Sequence, residues 1–438
     1  MIMLKGGRVV DPASGVDRTL DVRIDGDRIV EVGASLDGKG LDCRGAVIAP
    51  GFVDLHVHFR EPGREEAETI ESGSRAAAMG GYTAVCPMPN TDPPQDNAAT
   101  VEFVWRRGRE VGLVDVYPVG AISAGRAGVD LAPMREMHNS AAGVRLFSDD
   151  GDPVPAALLM RHALEYVGAI DGVIIEHAED PSLRDGQMHE GDVSALLGLR
   201  GLAAESEEIC VLRDIALARL TGARLHIAHI STAAAVDAVR RAKAEGLRVT
   251  CEVTPHHLAL TDEAVRTFDA TFKVAPPLRS QKHVDALKEG VADGTIDAIA
   301  TDHAPHPAHA KDREFDYAPC GMVGLETALG VVMSELVEPG VVTLDRAIAM
   351  MSVEPAKILG ASEHGGPIAS GRPANLVVFD PETTWTVDPT SLESRSRNTP
   401  FTGRKLRGRV LHTMLRGSFT VRDGEVQPAP ERSGGANG

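Results

Sequence analysis

The chain has 438 residues, 43% of them hydrophobic and 25% charged, the composition of an ordinary globular protein that is long enough for more than one domain. Its 45 basic and 63 acidic residues give a formal net charge of −18, which argues against nucleic acid or an anionic membrane surface as a partner. The five cysteines are odd in number and form no CxxC pair, and no apolar run approaches the ~20 residues of a membrane span, so we expect a cytoplasmic protein with reduced thiols that is neither secreted nor membrane-spanning.

Both ends of the chain are predicted to form short β-strands, a character that the middle lacks. We therefore predict one small β-sandwich domain built from residues 1–50 and 360–430, with a flexible tail at 431–438. The pattern consists of short apolar or alternating runs between turn residues. The runs lie at 3–10, 21–24, 28–32, 374–380 and 409–415.

Between residues 51 and 359, apolar strands alternate with helical segments. Eight strands in this alternation predict a catalytic (β/α)₈ barrel of the TIM type. A doubly wound open sheet is the competing architecture, but no GxGxxG fingerprint follows a strand. The strands are predicted at Asp54–His58, Thr83–Met88, Asp115–Val119, Val144–Phe147, Val173–His177, Arg224–His229, Arg248–Val253 and Ala298–Asp302. Helices are predicted at Glu66–Met79, Ala156–Tyr166, Glu205–Leu220, Ala233–Ala244 and Val284–Asp293.

Histidines and aspartates occur where these strands end, which is where a barrel carries its active site. His56 and His58 are two residues apart on one strand, so both imidazoles point to the same face. A lone HxH pair is also common among buried structural histidines, but four further strand ends add ligands of the same kind. Imidazole and carboxylate without thiolate suit an open catalytic zinc site, and six ligands suit two zinc ions with a shared bridge. The candidate ligands are His56, His58, Asp150, His177, His229 and Asp302.

These strand ends belong to ordered motifs that resemble the dihydroorotases of the long bacterial type, in the amidohydrolase superfamily. The resemblance runs through the whole chain. It implies a zinc-dependent cyclic amide hydrolase that converts (S)-dihydroorotate reversibly to N-carbamoyl-L-aspartate in pyrimidine biosynthesis. The motifs are GFVDLHVHFREPG at 51–63, PMPNT at 87–91, FSDDG at 147–151, EHAED at 176–180, HIAHIS at 226–231, EVTPHHL at 252–258, ATDHAPH at 300–306 and NTPF at 398–401.

The resemblance also assigns roles to the ligands. It places His56, His58 and Asp302 on one zinc and His177 and His229 on the other. Asp150 is the bridging ligand, and Asp302 is also the general base and acid for the water shared by two Zn²⁺ per chain. Asp149 is predicted to have a turn or supporting role. Related hydantoinases, and some dihydroorotases, bridge the metals with a carboxylated lysine, but this chain has no lysine between Lys39 and Lys243.

Arg60, Asn90 and His306 are assigned to substrate binding by the same resemblance, together with His58. Two positions depart from the commoner family pattern. Ala275 precedes PPLR where many relatives have Asn, and Cys320 precedes Gly321 where many have Phe. The backbone at Cys320 and Gly321 can still bind the ring amide. The predicted substrate-binding set is His58, Arg60, Asn90, Ala275, His306, Cys320 and Gly321.

Two alternatives stay open at this point. The first alternative is another cyclic amidohydrolase, such as a hydantoinase or allantoinase. The second is a non-catalytic scaffold homologue of a pyrimidine enzyme. We expect a homo-oligomer that binds a small-molecule substrate, and an association with aspartate transcarbamoylase stays open. Residues 307–319 form either a lid or an ordinary loop. The other histidines are predicted to be structural or on the surface, His226, His256, His257 and His303 among them.

Overall fold

A computed structural model of the chain describes residues 1–428, and the predicted tail at 431–438 lies outside these described residues. The strands are β1 (Ile2–Asp11), β2 (Val16–Asp25), β3 (Arg28–Gly33), β4 (Leu41–Asp42), β5 (Val47–Pro50), β6 (Phe52–Val57), β7 (Tyr82–Pro87), β8 (Asp115–Val116), β9 (Leu146–Phe147), β10 (Val173–Glu176), β11 (Met188–His189), β12 (Gly201–Leu202), β13 (Arg224–Ile227), β14 (Val249–Val253), β15 (Ala298–Ile299), β16 (Leu376–Thr386), β17 (Lys405–Leu415), β18 (Ser418–Arg422) and β19 (Glu425–Val426). The α-helices are α1 (Ile70–Met79), α2 (Ala98–Val111), α3 (Met134–Asn139), α4 (Ala157–Gly168), α5 (Asp192–Leu197), α6 (Glu205–Thr221), α7 (Ala233–Ala244), α8 (Pro255–Ala259), α9 (Gln281–Ala292), α10 (Ala308–Lys311), α11 (Ala328–Val332), α12 (Leu344–Ile348) and α13 (Glu354–Leu359). Helices α11 and α12 continue through the π-helical turns Met333–Val337 and Ala349–Val353.

Strands from both ends of the chain form one continuous sheet of nine strands within the described residues. Its order is β19-β18-β17-β16-β5-β1-β2-β3, and β4 pairs with β1. The two ends of the chain meet where β16 runs antiparallel to β5, with Leu376 opposite Pro50. Apolar side chains from both ends, such as Leu4 and Met414, pack into one buried cluster. The terminal segments therefore share a single core.

Two parallel sheets are built from the middle of the chain. One has the order β6-β7-β8 and the other β15-β14-β13-β10-β9. Isolated parallel bridges between Val57 and His303 and between Gly120 and Phe147 connect the edges of the two sheets. Because every pairing among these strands is parallel, their carboxyl ends lie on one side.

Alternate residues of the parallel strands pack into different apolar clusters. Val173 and Ile175 of β10 share a cluster with Leu55 of β6, whereas Ile174 between them packs with residues of the surrounding helices, such as Val211 of α6. This is the side-chain alternation of strands that are buried on both faces. It explains why these strands are nearly continuous apolar runs in the sequence.

Helix ends follow local capping residues. The Thr69 hydroxyl accepts the N–H of Ser72 at 3.0 Å and starts α1 with a capping box. Gly112, with φ of 69°, ends α2 in the left-handed conformation that glycine adopts most readily. Within residues 1–428, no helix combines the length and the apolar character needed to cross a membrane.

The segment 307–319 contains the short helix α10 and is held by two buried lysines. The ammonium group of Lys311 donates to the carbonyls of Lys273 at 3.3 Å and Pro319 at 2.8 Å. Lys273 in turn donates to the carbonyl of Phe315 at 2.7 Å. The Phe315 side chain is buried as well. The segment is therefore anchored at several points, although its polar sequence showed no periodicity.

Asp115 links the terminal sheet to the parallel strands. It begins β8, and its Oδ1 accepts from Nη1 of Arg416, between β17 and β18, at 2.8 Å. Its other oxygen lies 3.0 Å from Nε2 of the buried His364. The side chain of Asp115 is only 12% exposed. Removing only one partner of a charged contact that is largely buried is costly, because the other charge is left without its partner.

We expect Asp115→Asn to lower the free energy of unfolding by about 2 kcal/mol, because the substitution leaves Arg416 without its counter-charge. Urea denaturation of purified protein measures this. Asp17→Asn is the matched control, since Asp17 pairs with Arg8 on the surface, where their side chains are 43% and 51% exposed. The control should change stability by less than about 1 kcal/mol. Equal effects of the two variants would contradict the role of Asp115.

Candidate metal centre

Four imidazoles and two carboxylates meet at the carboxyl ends of the parallel strands. All six side chains are buried. They follow or end strands β6, β9, β10, β13 and β15. The structure therefore brings together the complete set of candidate ligands that the sequence indicated. The six are His56, His58, Asp150, His177, His229 and Asp302.

Asp150 lies at the middle of this centre. Its Oδ1 is 3.3 Å from Nε2 of His56, from Nδ1 of His177 and from Nε2 of His229. Its Oδ2 is 3.5 Å from Nε2 of His58. Asp150 with His56 and His58 forms one group that could hold a metal ion, and Asp150 with His177 and His229 forms another. The two groups overlap at this one carboxylate.

Asp302 closes the first group from the opposite side. Its Oδ1 lies 3.0 Å from Nε2 of His58 and 3.6 Å from Nε2 of His56. Asp302 has a φ of 47° and His229 a φ of 29°. Residues other than glycine adopt a positive φ at an energetic cost, and such residues cluster at functional sites. The backbone turns here to direct both side chains inward.

The spacing of these atoms fits a metal ion. In a tetrahedral site with bonds of about 2.1 Å, neighbouring ligand atoms lie roughly 3.4 Å apart, close to the 3.3 Å around Asp150. Burial lowers the pKa of His177, but the carboxylates of Asp150 and Glu179 raise it to about 10. Burial likewise raises the pKa of Asp150, while the surrounding imidazoles lower it well below its usual range. The centre therefore favours positive charge, and its nitrogen and oxygen donors suit a divalent cation.

Glu252 fixes the orientation of His56. The Nδ1–H of His56 donates to Oε1 of Glu252 at 3.0 Å, which leaves Nε2 free to face the centre. The other oxygen of Glu252 lies 3.1 Å from Nε2 of His226, and the other nitrogen of His226 lies 2.8 Å from the hydroxyl of Thr250. All these groups are buried or partly buried. A carboxylate behind a histidine sets the tautomer and basicity of a ligand, and His226 extends this support by one more residue.

Two further ligands have partners on their outer nitrogens. The Nδ1–H of His58 donates to Oδ1 of Asn90 at 2.9 Å. Nε2 of His177 lies 3.5 Å from Oε2 of Glu179, which also binds Arg184. Asn90, predicted as a substrate contact, thus holds the ring of a candidate ligand. Glu179 lies in the EHAED motif, and its position two residues after His177 was the only signal in the sequence.

A cavity of about 320 Å³ opens onto the centre. All of the predicted substrate-binding residues line it. Arg64, Arg126 and Arg184 line it too, and no motif in the sequence pointed to any of the three. The predicted residues at its wall are His58, Arg60, Asn90, Ala275, His306, Cys320 and Gly321.

Arg60 brings a buried positive charge to this cavity. The residue is 6% exposed, and its Nε donates to the carbonyl of Pro305 at 3.3 Å. Burial lowers the pKa of Arg60 to about 10, so the guanidinium is still charged at neutral pH. Within the described residues, none of its hydrogen bonds goes to a carboxylate. The arrangement suits the carboxylate of a bound molecule.

His306 lines the same cavity and is neutral. Burial, and then the charge of Arg60, lower the pKa of His306 to about 3. Its Nε2–H donates to the carbonyl of Cys320 at 2.7 Å. The N–H of Gly321 donates to the carbonyl of Lys273 at 2.9 Å. The carbonyl of Cys320 and the N–H of Gly321 are thus already bonded within the protein.

Two other histidines of the sequence motifs, His257 and His303, have structural contacts. The ring of His257 lies 2.7 Å from the hydroxyl of Thr254 and 3.0 Å from the carbonyl of Pro276. His303 accepts the N–H of Gly324 at 3.2 Å, so its Nε2–H donates to Glu68 at 3.2 Å. Both rings are buried and have partners on both nitrogens.

A third buried group, of Glu176, Cys210 and Asp214, lies apart from this centre. The guanidinium of Arg213 sits among them, with Nε 2.7 Å from Asp214 and Nη2 3.5 Å from both Glu176 and Cys210. Arg213 thus supplies the positive charge that a metal ion would otherwise bring, and the group is a polar network of the core.

The sequence comparisons find dihydroorotases, and the structural comparison finds a hydantoinase and a dihydropyrimidinase. Residues 45–235 match the family model for dihydro-orotase-like proteins. The chain is 53% identical to a dihydroorotase of Streptomyces coelicolor over 93% of this chain and 96% of that protein. It is 48% identical to a dihydroorotase of Mycobacterium leprae over 98% and 99%. Among solved structures it is similar to the L-hydantoinase of Arthrobacter aurescens, with a TM-score of 0.87 and 25% identity over 97% of both chains. The fold is also that of the dihydropyrimidinase of Brevibacillus agri, with a TM-score of 0.84 and 24% identity over 97% of this chain and 96% of that chain.

We expect Glu252→Gln to weaken zinc binding about 10- to 100-fold, because the amide no longer supports His56 with a negative charge. Competition with a chelator measures the affinity. Glu263→Gln is the control, since Glu263 pairs with Arg266 at the surface and should leave zinc affinity unchanged. Unaltered zinc affinity in Glu252→Gln would rule out the supporting role of this carboxylate.

Proposed function

The chain belongs to the dihydroorotase family, and from this premise we propose that it converts (S)-dihydroorotate reversibly to N-carbamoyl-L-aspartate, a step of pyrimidine biosynthesis. The observation that carries the proposal is the buried centre of imidazoles and carboxylates around Asp150, beside the charged Arg60 in one cavity. Such a centre is suited to hydrolysis of an amide, and Arg60 is suited to the carboxylate that dihydroorotate carries.

We further propose that the parallel strands close into a (β/α)₈ barrel of residues 51–359. The bridges at both edges of the two sheets support this. Residues 1–50 and 360–430 would then form the second domain. A cytoplasmic location, a homo-oligomer and an association with aspartate transcarbamoylase stay predictions.

The proposed cofactor is a pair of zinc ions. His56, His58 and Asp302 would hold one, His177 and His229 the other, and Asp150 would bridge them. When bound, the ions would supply Lewis acidity for an amide carbonyl and lower the pKa of a bound water. The ligand atoms around Asp150, at 3.3 Å from it, fit this arrangement.

Asp302 is the proposed proton carrier. Its carboxylate lies beside His58 and lines the cavity in which the substrate would lie. It would take the proton of the attacking water and pass it to the ring nitrogen as the amide bond breaks. In the direction of ring closure, Asp302 would return a proton to the departing hydroxyl group.

The proposed substrate contacts are on the cavity wall. The guanidinium of Arg60 would bind the ring carboxylate with its paired N–H groups. Because Oδ1 of Asn90 is bonded to His58, the amide NH₂ is the part of Asn90 that faces a ligand. His306 would complete the carboxylate site. Ala275 offers no polar side-chain contact to the substrate. On this part of the cavity wall, the ring of the substrate would therefore depend on backbone groups.

The rival amidohydrolases differ in the bridging group. The missing lysine between Lys39 and Lys243, together with the carboxylate of Asp150 at the middle of the centre, favours a dihydroorotase over a hydantoinase or allantoinase. A non-catalytic scaffold is disfavoured because all six candidate ligands are present and close together.

We expect zinc-loaded protein to turn over dihydroorotate at least about 100-fold faster, by kcat/KM, than hydantoin or allantoin, a difference of about 2.7 kcal/mol in transition-state binding. The reason is the carboxylate, which only dihydroorotate offers to Arg60. A spectrophotometric panel with elemental analysis of the same preparation measures both. Faster turnover of hydantoin would reject the assigned substrate.

We expect Asp302→Asn to keep most of its zinc but to lose turnover about 100-fold or more, because the amide cannot carry the proton. Asp312→Asn, on the exposed part of the segment 307–319, is the control and should retain normal kinetics. Steady-state rates, measured together with the zinc content per chain, test both expectations. Near-normal turnover by Asp302→Asn would assign the proton transfer to another group.

A further inference from the structure

Asn398, the first residue of the NTPF motif, lies beside the substrate cavity although it is far along the chain from the strand ends. It is 7% exposed and belongs to the segment between the 3-10 turn at 389–391 and β17. The proposed roles of the metal ligands and substrate contacts leave this motif unexplained.

The side-chain amide of Asn398 makes three hydrogen bonds. Its Nδ2 donates to the carbonyls of Ala304 at 3.1 Å and Gly321 at 3.2 Å. Its Oδ1 accepts the N–H of His306 at 3.1 Å. The backbone carbonyl of Asn398 accepts the N–H of Val323 at 3.2 Å. Both donor hydrogens and the acceptor of the amide are thus used, which fixes its orientation.

These bonds join the two ends of the segment 307–319. One end carries Ala304 and His306, and the other carries Cys320 and Gly321, all four of which line the cavity. The ends also contact each other directly through the bond from His306 to the carbonyl of Cys320. Asn398 therefore lies at the base of the segment and links both of its ends to a third stretch of chain.

The stretch that carries Asn398 is itself held in place. The carboxylate of Glu68 accepts the hydroxyl of Ser394 at 2.5 Å and the N–H of Arg395 at 3.0 Å. The hydroxyl of Ser396 donates to the carbonyl of Ala67 at 2.6 Å. Glu68, Ser394 and Ser396 are buried. Asn398 thus projects from a fixed support.

We propose that Asn398 is a positioning residue for substrate binding. It holds His306 and the backbone of Cys320 and Gly321 at the distances that the carboxylate and the ring of the substrate require. It acts through these groups and not on the reacting atoms. The inference rests on the proposed function, because it concerns the same cavity and the same substrate.

Asn398→Ala in zinc-loaded enzyme should raise KM for dihydroorotate about ten-fold and change kcat by less than about three-fold, since the metal ligands and Asp302 keep their contacts. Zinc content should equal that of the wild type. Thr402→Ala is the matched control, since Thr402 is exposed just after the NTPF motif, and its KM should stay within about two-fold of the wild-type value. An unchanged KM for Asn398→Ala, or a joint loss of zinc and kcat, would overturn the proposal.

A double-mutant cycle with His306→Ala tests whether Asn398 acts through His306. We expect Asn398→Ala to raise KM much less in the His306→Ala background than in the wild type, because the group that it positions is gone. Additive effects on KM would show that Asn398 does not act through His306.

An NMR measurement separates this inference from the proposed function. The ring ¹⁵N resonances of His306, assigned with the His306→Ala variant, should shift in Asn398→Ala and stay in place in Thr402→Ala. Wild-type enzyme that leaves dihydroorotate unchanged would refute the proposed function alone, and the resonances would still decide the positioning role. If Asn398→Ala does not fold, a second variant tests the same proposal. Asn398→Asp keeps the acceptor for His306 and loses both donors, and it should raise KM and shift the same resonances. An unchanged KM together with unshifted resonances would overturn the proposal.

Discussion

The burial of the Asp150 carboxylate among three imidazole nitrogens is the constraint on which the rest of the site depends. Removing a carboxylate from water costs several kcal/mol unless opposite charge and hydrogen bonds compensate. At 3.3 Å from His56, His177 and His229, Asp150 is too close to these rings for any large group to lie between them. Positive charge must therefore come from protons or from metal ions. The carboxylate of Glu252 and the amide of Asn90 orient the rings of His56 and His58 so that one nitrogen of each faces the centre.

The backbone around the centre is arranged to serve this constraint. Arg60, with φ of 59°, and Asp302, with φ of 47°, both have left-handed conformations just after strands. Asp54 supports the turn beneath them, since it accepts the hydroxyl of Thr301 at 2.6 Å and the N–H of His56 at 3.1 Å. Burial raises the pKa of Asp54 to about 7, although these hydrogen bonds oppose the rise. A buried carboxylate thus links the strand of His56 to the strand of Asp302.

The sequence predicted the part of the site that local patterns can show. The HxH spacing of His56 and His58 and the polar residue at each strand end are readable from the chain. The support of His56 by Glu252 is not, because it joins residues that are 196 positions apart and depends on which strands lie opposite each other. The same holds for Asn398. Strand lengths were also overestimated: β15 ends at Ile299, before the predicted end at Asp302, whose φ of 47° departs from an extended strand.

The proposed bridging residue, Asp150, lies in a loop and not on a strand. A carboxylated lysine has a long side chain and can extend from the strand itself, whereas the side chain of aspartate is short. Asp150 therefore stands beyond the end of β9, in a loop that brings its carboxylate close to the histidine rings. Asp149 holds this loop, because its Oδ1 accepts the N–H groups of Ile122 at 2.9 Å and Ser123 at 3.0 Å. The adjacent aspartates of the FSDDG motif thus have separate roles, since Asp149 fixes the backbone and Asp150 places its charge between the imidazoles.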